Sequence, residues 1–555
     1  MKEQLKRLLA GALSDARAAG RIPATIDLPV AELQVPRDPT HGDLATNVAM
    51  LLARTAGMPP RAIAEAVLAH LTDPTGIVAR AEVAGPGFIN FTFSDAAWRQ
   101  RLGEILQHGE RYGSTALGDG VRVQVEFVSA NPTGPLHVGH GRGAAVGDAI
   151  ARILEAAGYR VDREYYVNDA GNQMETLGRS IWARYMALAG REVEFPSDGY
   201  PGDYVVDLAR DLSTRDGTKW LDADPTEAAA YMSRWGGERM LERIRTDLGV
   251  LGIRFDRFVS ERDLRETGVV QRGIDDLRAR GELYEQEGAL WFRSTAYGDD
   301  KDRPVLKSDG ELTYFAADIG YHRDKFERGY DRVIDVWGAD HHGYIKRVEA
   351  ALRALGRDPS AFRVVLVQIV NITRDGVPVR MGKRSGEFVA LRDIIDEVGP
   401  DLSRFFFLTR NADAQLEFDL ELARRQSAEN PVFYIQYAHT RIAGIFRSAA
   451  ERGISLPIVD PEAAAALTEP EEIALIKLLD SFPDMVEAAA TALEPHRIVY
   501  YAQKLAGEFH RYYSRHRCVT DDAKVTNGRL LLVSAVQLVI RRALDLVGVS
   551  APERM

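Results

Sequence analysis

The chain has 555 residues, of which 45% are hydrophobic and 27% are charged, and its formal net charge is −11. This composition is ordinary for a soluble globular protein, and the length suggests about two to four domains. The single cysteine, Cys518, excludes an intrachain disulfide and disfavours a thiolate zinc site. The acidic net charge does not favour nucleic-acid binding, so any contact with RNA must use local basic faces.

The apolar stretch at residues 530–540, "LLLVSAVQLVI", is too short to span a bilayer and predicts a buried helix. The N-terminal "MKEQLKRLLAGALSDARAAGR" has charges scattered along it and is typical of an amphipathic helix more than of a signal peptide. We therefore expect a cytoplasmic protein without a membrane partner.

Three units follow one another along the chain. Residues 1–112 combine helical patterns with the strand-like "ARAEVAGPGFINFTF" and predict an α+β domain. Residues 113–417 alternate short apolar strands with helices, which predicts a parallel sheet covered on both faces, with an insertion at about 186–260. Residues 418–555 have helical periodicity almost throughout and predict an all-α domain.

The stretch "NPTGPLHVGHGRG" at 131–143 lies between a predicted strand at 121–129 and a predicted helix at 144–157. A glycine-rich turn before a helix N-terminus is a favourable site for an anion, because free N–H groups and the helix dipole point at it. His137 and His140 can donate hydrogen bonds to phosphoryl oxygens, and Gly139 and Gly141 let a phosphate approach the backbone. The alternative is a pair of surface histidines with ordinary partners at a tight turn.

"HVGH" resembles the HIGH signature of class I aminoacyl-tRNA synthetases. That resemblance implies a Rossmann-like catalytic domain that binds ATP at this turn, between an α+β N-terminal domain and an all-α C-terminal helical bundle.

A second signature of this family is a mobile lysine-bearing loop, and "VRMGKRSGEFV" at 379–389 is similar to it. Lys383 holds the position of the second lysine of KMSKS, and Arg380 replaces the first. With Met381 and Gly382, these residues are expected to close over the triphosphate and neutralise the leaving pyrophosphate. The alternative is a solvated basic hairpin.

Longer stretches resemble the arginine-specific members of the family, among them "FVSANPTGPLHVGHGRG", "YYVNDAGNQ", "FDRFVSERDL", "TYFAADIGYH", "VWGADHHGY" and "NPVFYIQYAHTRI". The resemblance assigns contacts with the α-amino and carboxylate groups of arginine to Glu126, Ser129 and Asn131. It assigns contacts with the guanidinium to Tyr314 and Asp318, with Glu261 as a candidate further partner.

Residue spacing alone is compatible with simpler roles at these positions. Tyr314 and Asp318 are four residues apart and share a face if the segment is helical. By spacing alone, Asp318 is more simply a helix-surface acid, Tyr314 a core aromatic and Glu126 a charge on a sheet face.

The segment "WGADHHG" resembles the part of the family that reads the ribose of ATP, with Gly338 and Asp340 in that role. The adjacent His341 and His342 have no carboxylate or cysteine at ligand spacing, so we expect no structural metal.

The C-terminal helices carry the candidate RNA surface. Lys504, Arg511 and Arg515 fall near one helical face, beside Leu505, Phe509 and Tyr512 on another, and a basic stripe beside exposed aromatics suits phosphate contact and base stacking. A solvated face over a packed core is equally compatible with this pattern. The resemblance adds Tyr437 as a ring that stacks on an anticodon base.

The resemblance implies a monomeric enzyme that activates L-arginine with ATP and Mg²⁺ to arginyl-adenylate and passes the arginyl group to the terminal ribose of arginine tRNA. Two alternatives remain at this point. One is a class I relative that adenylylates a small molecule without tRNA, which the helical C-terminal domain disfavours. The other is a non-catalytic RNA-binding paralogue, which the intact HVGH and Lys383 disfavour.

Overall fold

The structure, a computed structural model, describes residues 1–379, 389–455 and 461–555. The N-terminal unit combines four helices with a small antiparallel sheet of three strands, in which the last strand in the sequence lies between the other two. Its elements are α1 (Lys2–Ala18), β1 (Leu44–Thr46), α2 (Val48–Ala56), α3 (Pro60–Ala69), β2 (Val78–Ala84), β3 (Phe88–Phe93) and α4 (Asp95–His108).

The middle of the chain forms the predicted parallel sheet, and this prediction is confirmed. Five strands pair in the spatial order Phe362–Val367 (β11), Arg332–Gly338 (β10), Arg122–Glu126 (β4), Arg160–Val167 (β5) and Arg257–Ser260 (β6). Every pairing is parallel. The first elements are β4 (Arg122–Glu126), α5 (Val138–Ala156), β5 (Arg160–Val167), α6 (Asn172–Leu188), α7 (Asp203–Asp216), α8 (Pro225–Val250), β6 (Arg257–Ser260), α9 (Glu261–Glu266) and α10 (Val269–Ala279).

Two smaller sheets flank the parallel one, in the orders β7-β8-β9 and β13-β12-β14. The elements continue with β7 (Leu283–Gln286), β8 (Ala289–Phe292), β9 (Arg303–Leu306), α11 (Tyr314–Glu327), β10 (Arg332–Gly338), α12 (Ile345–Ala354), β11 (Phe362–Val367), β12 (Val370–Arg374), β13 (Val377–Pro378), α13 (Leu391–Val398), α14 (Pro400–Phe407) and β14 (Leu416–Asp419). The apolar run at 364–373 is thus divided between β11 and β12, which lie in different sheets.

The C-terminal unit is all-helical across its described residues, as predicted. It comprises α15 (Leu420–Arg424), α16 (Pro431–Glu451), α17 (Pro461–Ala465), α18 (Pro470–Asp480), α19 (Phe482–Ala492), α20 (His496–Arg515) and α21 (Ala523–Leu546). Helix α21 contains the predicted buried stretch and lies in the core of the bundle. Among the described helices it alone is long and apolar enough to cross a membrane, and 61% of its most apolar 18-residue stretch is buried within the protein.

One buried arginine, Arg404 on α14, contacts α5 and the C-terminal ends of α8 and α21. The Arg404 guanidinium donates to the Asp148 carboxylate on α5 at 2.5 Å, to the Leu251 carbonyl at 2.8 Å and to the Val547 carbonyl at 3.1 Å. Leu251 and Val547 cap the C-termini of α8 and α21, where a cation is favourable because helix carbonyls lack partners there. This contact fixes α5, the helix that begins at the histidine signature, against the C-terminal bundle.

Candidate active site

The histidine signature opens helix α5 directly. His137 is the N-cap and α5 begins at Val138, six residues before the predicted start. The His137 and His140 side chains form a capping box: His140 Nδ1 accepts a hydrogen bond from the His137 backbone N–H (3.3 Å), and His137 Nδ1 accepts one from the Gly139 N–H (3.1 Å). The rings stack with their centroids 3.7 Å apart.

This geometry sets the tautomer that each ring adopts when it is neutral. Because each Nδ1 accepts a hydrogen bond from the backbone, the proton of each neutral imidazole lies on Nε2, which is then a donor. Burial, with a further contribution from His137, lowers the pKa of His140 to about 3. His140 is therefore neutral at pH 7 and presents one N–H at the N-terminus of a helix, where anions are favoured.

The glycines of the signature divide between two roles. A Cβ on Gly139 would lie 3.0 Å from the His137 ring, so this glycine keeps the imidazole close to the backbone. A Cβ on Gly141 would lie 2.4 Å from Leu391 Cδ1 and 3.0 Å from Phe407. This glycine therefore allows close packing of α5 against α13 and α14, and the approach of a phosphate to its backbone stays a prediction.

The chain between β4 and α5 bends sharply where the sequence predicted continued strand. Strand β4 ends at Glu126, and Val128 and Ser129 have φ angles of 69° and 40°. Positive φ is rare for a β-branched residue and is typically found at functional sites. The bend turns Ser129 back on the strand, so that its hydroxyl donates to Glu126 Oε1 (2.9 Å) and accepts from the Tyr166 N–H (3.1 Å). Asn131 donates to Gln173 on α6 at 2.5 Å.

A buried lysine also holds the carboxylate of Glu126. Lys325 on α11 is fully buried, and its ammonium group donates to Glu126 Oε2 at 2.6 Å and to Asp335 Oδ1 at 2.8 Å. Burial acts to raise the pKa of Asp335, but Lys325 and His322 outweigh it and hold that pKa below its usual value. Tyr321 adds a hydrogen bond to Glu126 at 2.8 Å. Glu126 is thus a fixed carboxylate in a hydrogen-bonded network, and not simply a charge on the sheet face.

Tyr314 and Asp318 lie on one face of α11, as their spacing predicted for a helix. Tyr314 is 59% exposed and Asp318 is half-buried, so the alternatives of a core aromatic and a surface acid are both wrong. The Tyr344 hydroxyl donates to Asp318 Oδ2 at 2.5 Å. Burial, with Glu261 and Glu126 nearby, raises the pKa of Asp318 to about 6 although Tyr344 opposes the shift.

Asp318 differs from its acidic neighbours in its partners. Among the residues that the structure describes, no lysine or arginine nitrogen lies within 4.0 Å of its carboxylate. Glu261, by contrast, is buried at the start of α9 and pairs with Arg265 at 2.6 Å, and it accepts a hydrogen bond from Tyr166 at 3.0 Å. A half-buried carboxylate without a cation is a favourable place for a cationic ligand.

The segment after β10 contains the residues predicted to read ribose. Gly338 ends β10, and a 3₁₀ segment follows at Ala339–Tyr344. Asp340 is exposed, and its Oδ2 lies 3.7 Å from Nε2 of His341. Across the described ranges, the imidazole and carboxylate groups close enough to share a metal ion lie elsewhere, at Glu469, Glu471 and His516.

The second signature was predicted at 379–389, and its residues 380–388, which include Arg380, Met381, Gly382 and Lys383, lie outside the described residues. The residues on either side of this segment make defined contacts. Before it, the Val379 N–H donates to the Ile372 carbonyl at 2.8 Å. After it, Ala390 forms a β-bridge with His137, and the Leu391 N–H donates to the Leu136 carbonyl at 2.8 Å. The segment that follows the second signature is therefore attached to the first.

On the C-terminal bundle, the predicted cations are exposed but the predicted aromatic partners are not. Lys504, Arg511 and Arg515 are exposed on α20, and Arg515 pairs with Glu471 at 3.0 Å while Arg511 pairs with Glu508. Leu505, Phe509 and Tyr512 are buried in the bundle, so the expectation of exposed aromatics there was wrong.

An exposed aromatic surface is present beside these cations. The Arg441 guanidinium lies 4.5 Å from the Tyr437 ring and 4.8 Å from the Tyr513 ring, and both tyrosines are 38% exposed. Tyr437 also stacks on His510 with centroids 5.8 Å apart. The sequence pointed to Tyr437 alone. Arg441 lies on the same helix, α16, whereas His510 and Tyr513 lie on α20 and reach this ring only because the two helices pack together.

Family models match three consecutive parts of the chain. These are the arginyl tRNA synthetase N terminal domain over residues 3–93, the catalytic domain of class I tRNA synthetases (R) over 101–185 and 231–425, and the DALR anticodon binding domain over 435–555.

Whole-chain relatives agree with this division. The arginine–tRNA ligase of Geobacter sp. (strain M21) is 51% identical over 556 residues that cover 100% of both chains. That of Syntrophotalea carbinolica is 52% identical over 95% of each chain. The solved arginyl-tRNA synthetase of Thermus thermophilus has a TM-score of 0.76 over 99% of this chain and 100% of its own, and at 23% identity it supports the fold alone. The chain therefore belongs to the class I arginyl-tRNA synthetases, and it uses ATP to attach arginine to tRNA.

Proposed function

We propose that arginine binds with its guanidinium on the Asp318 carboxylate and that Tyr314 covers the aliphatic stem. The observation that carries this assignment is the half-buried Asp318 carboxylate, which has a hydroxyl donor but no cation among the described residues. A guanidinium supplies the missing charge and can form paired hydrogen bonds with a carboxylate. Glu261, already paired with Arg265, adds negative potential and is the further partner.

The main-chain end of arginine is assigned to the bend after β4. Glu126 and Ser129 form one hydrogen-bonded unit there, and Asn131 follows two residues later. The carboxylate of Glu126 suits the α-ammonium group, while the Ser129 hydroxyl and the Asn131 amide suit the α-carboxylate. This orientation directs the arginine carboxylate toward the histidine signature, where the adenylate must form.

ATP is assigned to the N-terminus of α5 and the end of β10. His137 and His140 donate to the α-phosphoryl group as charge develops on it, with Gly139 at the turn and Gly338 and Asp340 on the ribose. Mg²⁺ enters with the nucleotide as part of the substrate.

The second signature supplies the charges for the leaving group. From sequence, Lys383 and Arg380 neutralise the pyrophosphate, and Met381 and Gly382 belong to the same loop. The bridge between Ala390 and His137 supports this assignment, because it ties the chain after the loop to the ATP turn.

The C-terminal bundle is assigned to tRNA. Lys504, Arg511 and Arg515 contact phosphates, and Tyr437 stacks on an anticodon base with Arg441 and Tyr513 beside it. We further propose domain limits of 1–112, 113–417 with an insertion at about 186–260, and 418–555. The working form would be a cytoplasmic monomer without a structural metal or a membrane partner.

The test is ATP–pyrophosphate exchange with each of the twenty amino acids, with and without bulk tRNA, for the natural chain and for Asp318→Asn. We expect arginine to be the one amino acid of the twenty that supports exchange. Asp318→Asn should lose about 2–5 kcal/mol of arginine recognition in kcat/KM, the cost of removing a charged partner.

Asp324→Asn is the matched control, since Asp324 lies on the same helix and pairs with Arg328 at 2.8 Å. If Asp318→Asn and Asp324→Asn keep equal kcat/KM for arginine, Asp318 is not in the pocket.

A further inference from the structure

Tyr344 connects the end of β10 to the candidate guanidinium-binding acid. It is the last residue of the 3₁₀ segment Ala339–Tyr344, which begins directly after Gly338. Its hydroxyl donates to Asp318 Oδ2 at 2.5 Å. Tyr344 is the last residue of the family-like stretch "VWGADHHGY", but residue spacing does not link it to Asp318, which lies 26 residues away toward the N-terminus.

The ring of Tyr344 is held on several sides. Phe315 and Trp337 meet it edge-on with centroid distances of 6.2 and 6.3 Å, and the Arg347 guanidinium lies 5.0 Å from its centroid. A half-buried ring with such neighbours has little freedom of rotation, so the position of its hydroxyl oxygen is set by packing. The hydroxyl is therefore a fixed donor for Asp318.

The surroundings of Asp318 explain why such a donor matters. Tyr344 faces the carboxylate from the 3₁₀ segment, His322 from its own helix, Glu261 from α9, Glu126 from β4, and Tyr166 from β5. Burial and the two glutamates favour the protonated form of Asp318, whereas Tyr344 and His322 favour the carboxylate. A protonated Asp318 would lose most of its attraction for a guanidinium.

We propose that Tyr344 is a positioning residue for arginine recognition, whose hydroxyl holds Oδ2 of Asp318 and leaves Oδ1 aimed at the guanidinium. This inference rests on the proposed role of Asp318. Two effects follow from the one hydrogen bond: it fixes the rotation of the carboxylate, and it keeps the carboxylate ionised in an acidic, half-buried setting. Tyr344 also joins the arginine pocket to the segment proposed to read the ribose of ATP.

The test is Tyr344→Phe, which removes the hydroxyl and keeps the ring. Tyr297→Phe is the matched control, because Tyr297 packs against the same buried cluster and its hydroxyl donates to another carboxylate, that of Glu282, at 2.6 Å. Steady-state aminoacylation is measured from pH 5 to pH 9 with arginine varied at saturating ATP and tRNA, and then with ATP varied. Asp318→Asn is measured in parallel.

We expect Tyr344→Phe to raise the KM for arginine by about 10-fold to 100-fold, the usual effect of losing a hydrogen bond to a charged group. The KM for ATP should change by less than about 3-fold, and Tyr297→Phe should match the natural chain. Because Tyr344 holds the pKa of Asp318 down, the acid limb of kcat/KM for arginine should move to higher pH by about one unit in Tyr344→Phe.

Three results would overturn the proposal while leaving Asp318 in place, provided that Asp318→Asn itself loses arginine recognition. The first is an acid limb and a KM for arginine that do not move in Tyr344→Phe. The second is an equal loss in the two phenylalanine variants, which would show a packing effect. The third is tighter arginine binding in Tyr344→Phe, which would show that the hydroxyl competes with the guanidinium. If Asp318→Asn keeps full recognition, the proposed pocket itself is wrong.

Discussion

Replacement of His140 tests the chemistry that the histidine signature is proposed to perform. His140 has one function that the structure shows and one that we propose: Nδ1 accepts the His137 N–H at 3.3 Å and caps α5, and Nε2–H is the proposed donor for phosphate. His140→Ala removes both functions. His140→Gln keeps a side chain that is suited to a capping box but moves the donor.

The two functions differ in magnitude. Loss of a cap costs about 1 kcal/mol of stability, whereas loss of one donor to a developing oxyanion costs about 2.7–4 kcal/mol, or about 10²–10³ in rate. We therefore expect His140→Ala to form arginyl-adenylate about 10²–10³-fold more slowly, as that estimate gives, with a small decrease in thermal stability. His140→Gln should recover the stability and little of the rate.

The assay is rapid-quench measurement of arginyl-adenylate in a single turnover with saturating ATP, arginine and tRNA, together with thermal unfolding of each variant. Since burial lowers the pKa of His140 to about 3, the ring stays neutral from pH 6 to pH 9, and the rate ratio between the natural chain and His140→Ala should not vary with pH there. Near-normal activation by His140→Ala would refute the donor role. A limb near pH 6.5 that disappears in His140→Ala would refute the assigned protonation.

Four further variants test other parts of the protein. Lys325→Met leaves two buried carboxylates without their shared ammonium group and should cost about 3–5 kcal/mol in urea unfolding; unchanged stability would show that the network is not held by this charge. Tyr437→Ala should weaken binding of arginine tRNA by about 1–3 kcal/mol in filter assays and hardly affect an anticodon-swapped tRNA, so equal losses on both would mean that the ring reads no base. Lys383→Ala should slow activation by orders of magnitude while Arg380→Lys is tolerated, and comparable losses in both would make Arg380 a specific bidentate contact.

Local patterns predicted the sequence of elements well because they depend on short-range periodicity. The parallel sheet, the all-helical C-terminal unit and the burial of 530–540 followed from hydrophobic patterns. The start of α5 could not be predicted in this way, because four glycines in its first ten residues suggest a loop. His137 compensates by capping the helix, and packing against Leu391 requires Gly141 to lack a side chain.

The acidic pocket was predictable only in part. Motif resemblance pointed to Asp318 and Glu126, but the residues that hold them come from elsewhere in the fold. Lys325 lies in the last turn of α11, where a cation is ordinarily solvated, and it is buried only because β4 and β10 bring Glu126 and Asp335 to it. Tyr344 approaches Asp318 for a similar reason, since α11 and the end of β10 meet in space. Such contacts depend on the pairing of strands, which no local pattern encodes.

The same limit applies to the C-terminal surface. A helical pattern cannot distinguish a buried aromatic from an exposed one when charged residues lie on both sides of it. Phe509 and Tyr512 face the bundle core, whereas Tyr513, one position further on, faces solvent beside Arg441. The exposed ring of α20 that joins the Tyr437 surface is identified only once α16 is packed against that helix.

The most direct test of the proposed site is a crystal structure of the chain with a non-hydrolysable arginyl-adenylate analogue. We expect the guanidinium at about 3 Å from the Asp318 carboxylate, with the Tyr344 hydroxyl still on the other oxygen, and the phosphate mimic within hydrogen-bond distance of Nε2 of His140. A guanidinium that pairs with other acids, or a phosphate mimic remote from the N-terminus of α5, would contradict the proposed site.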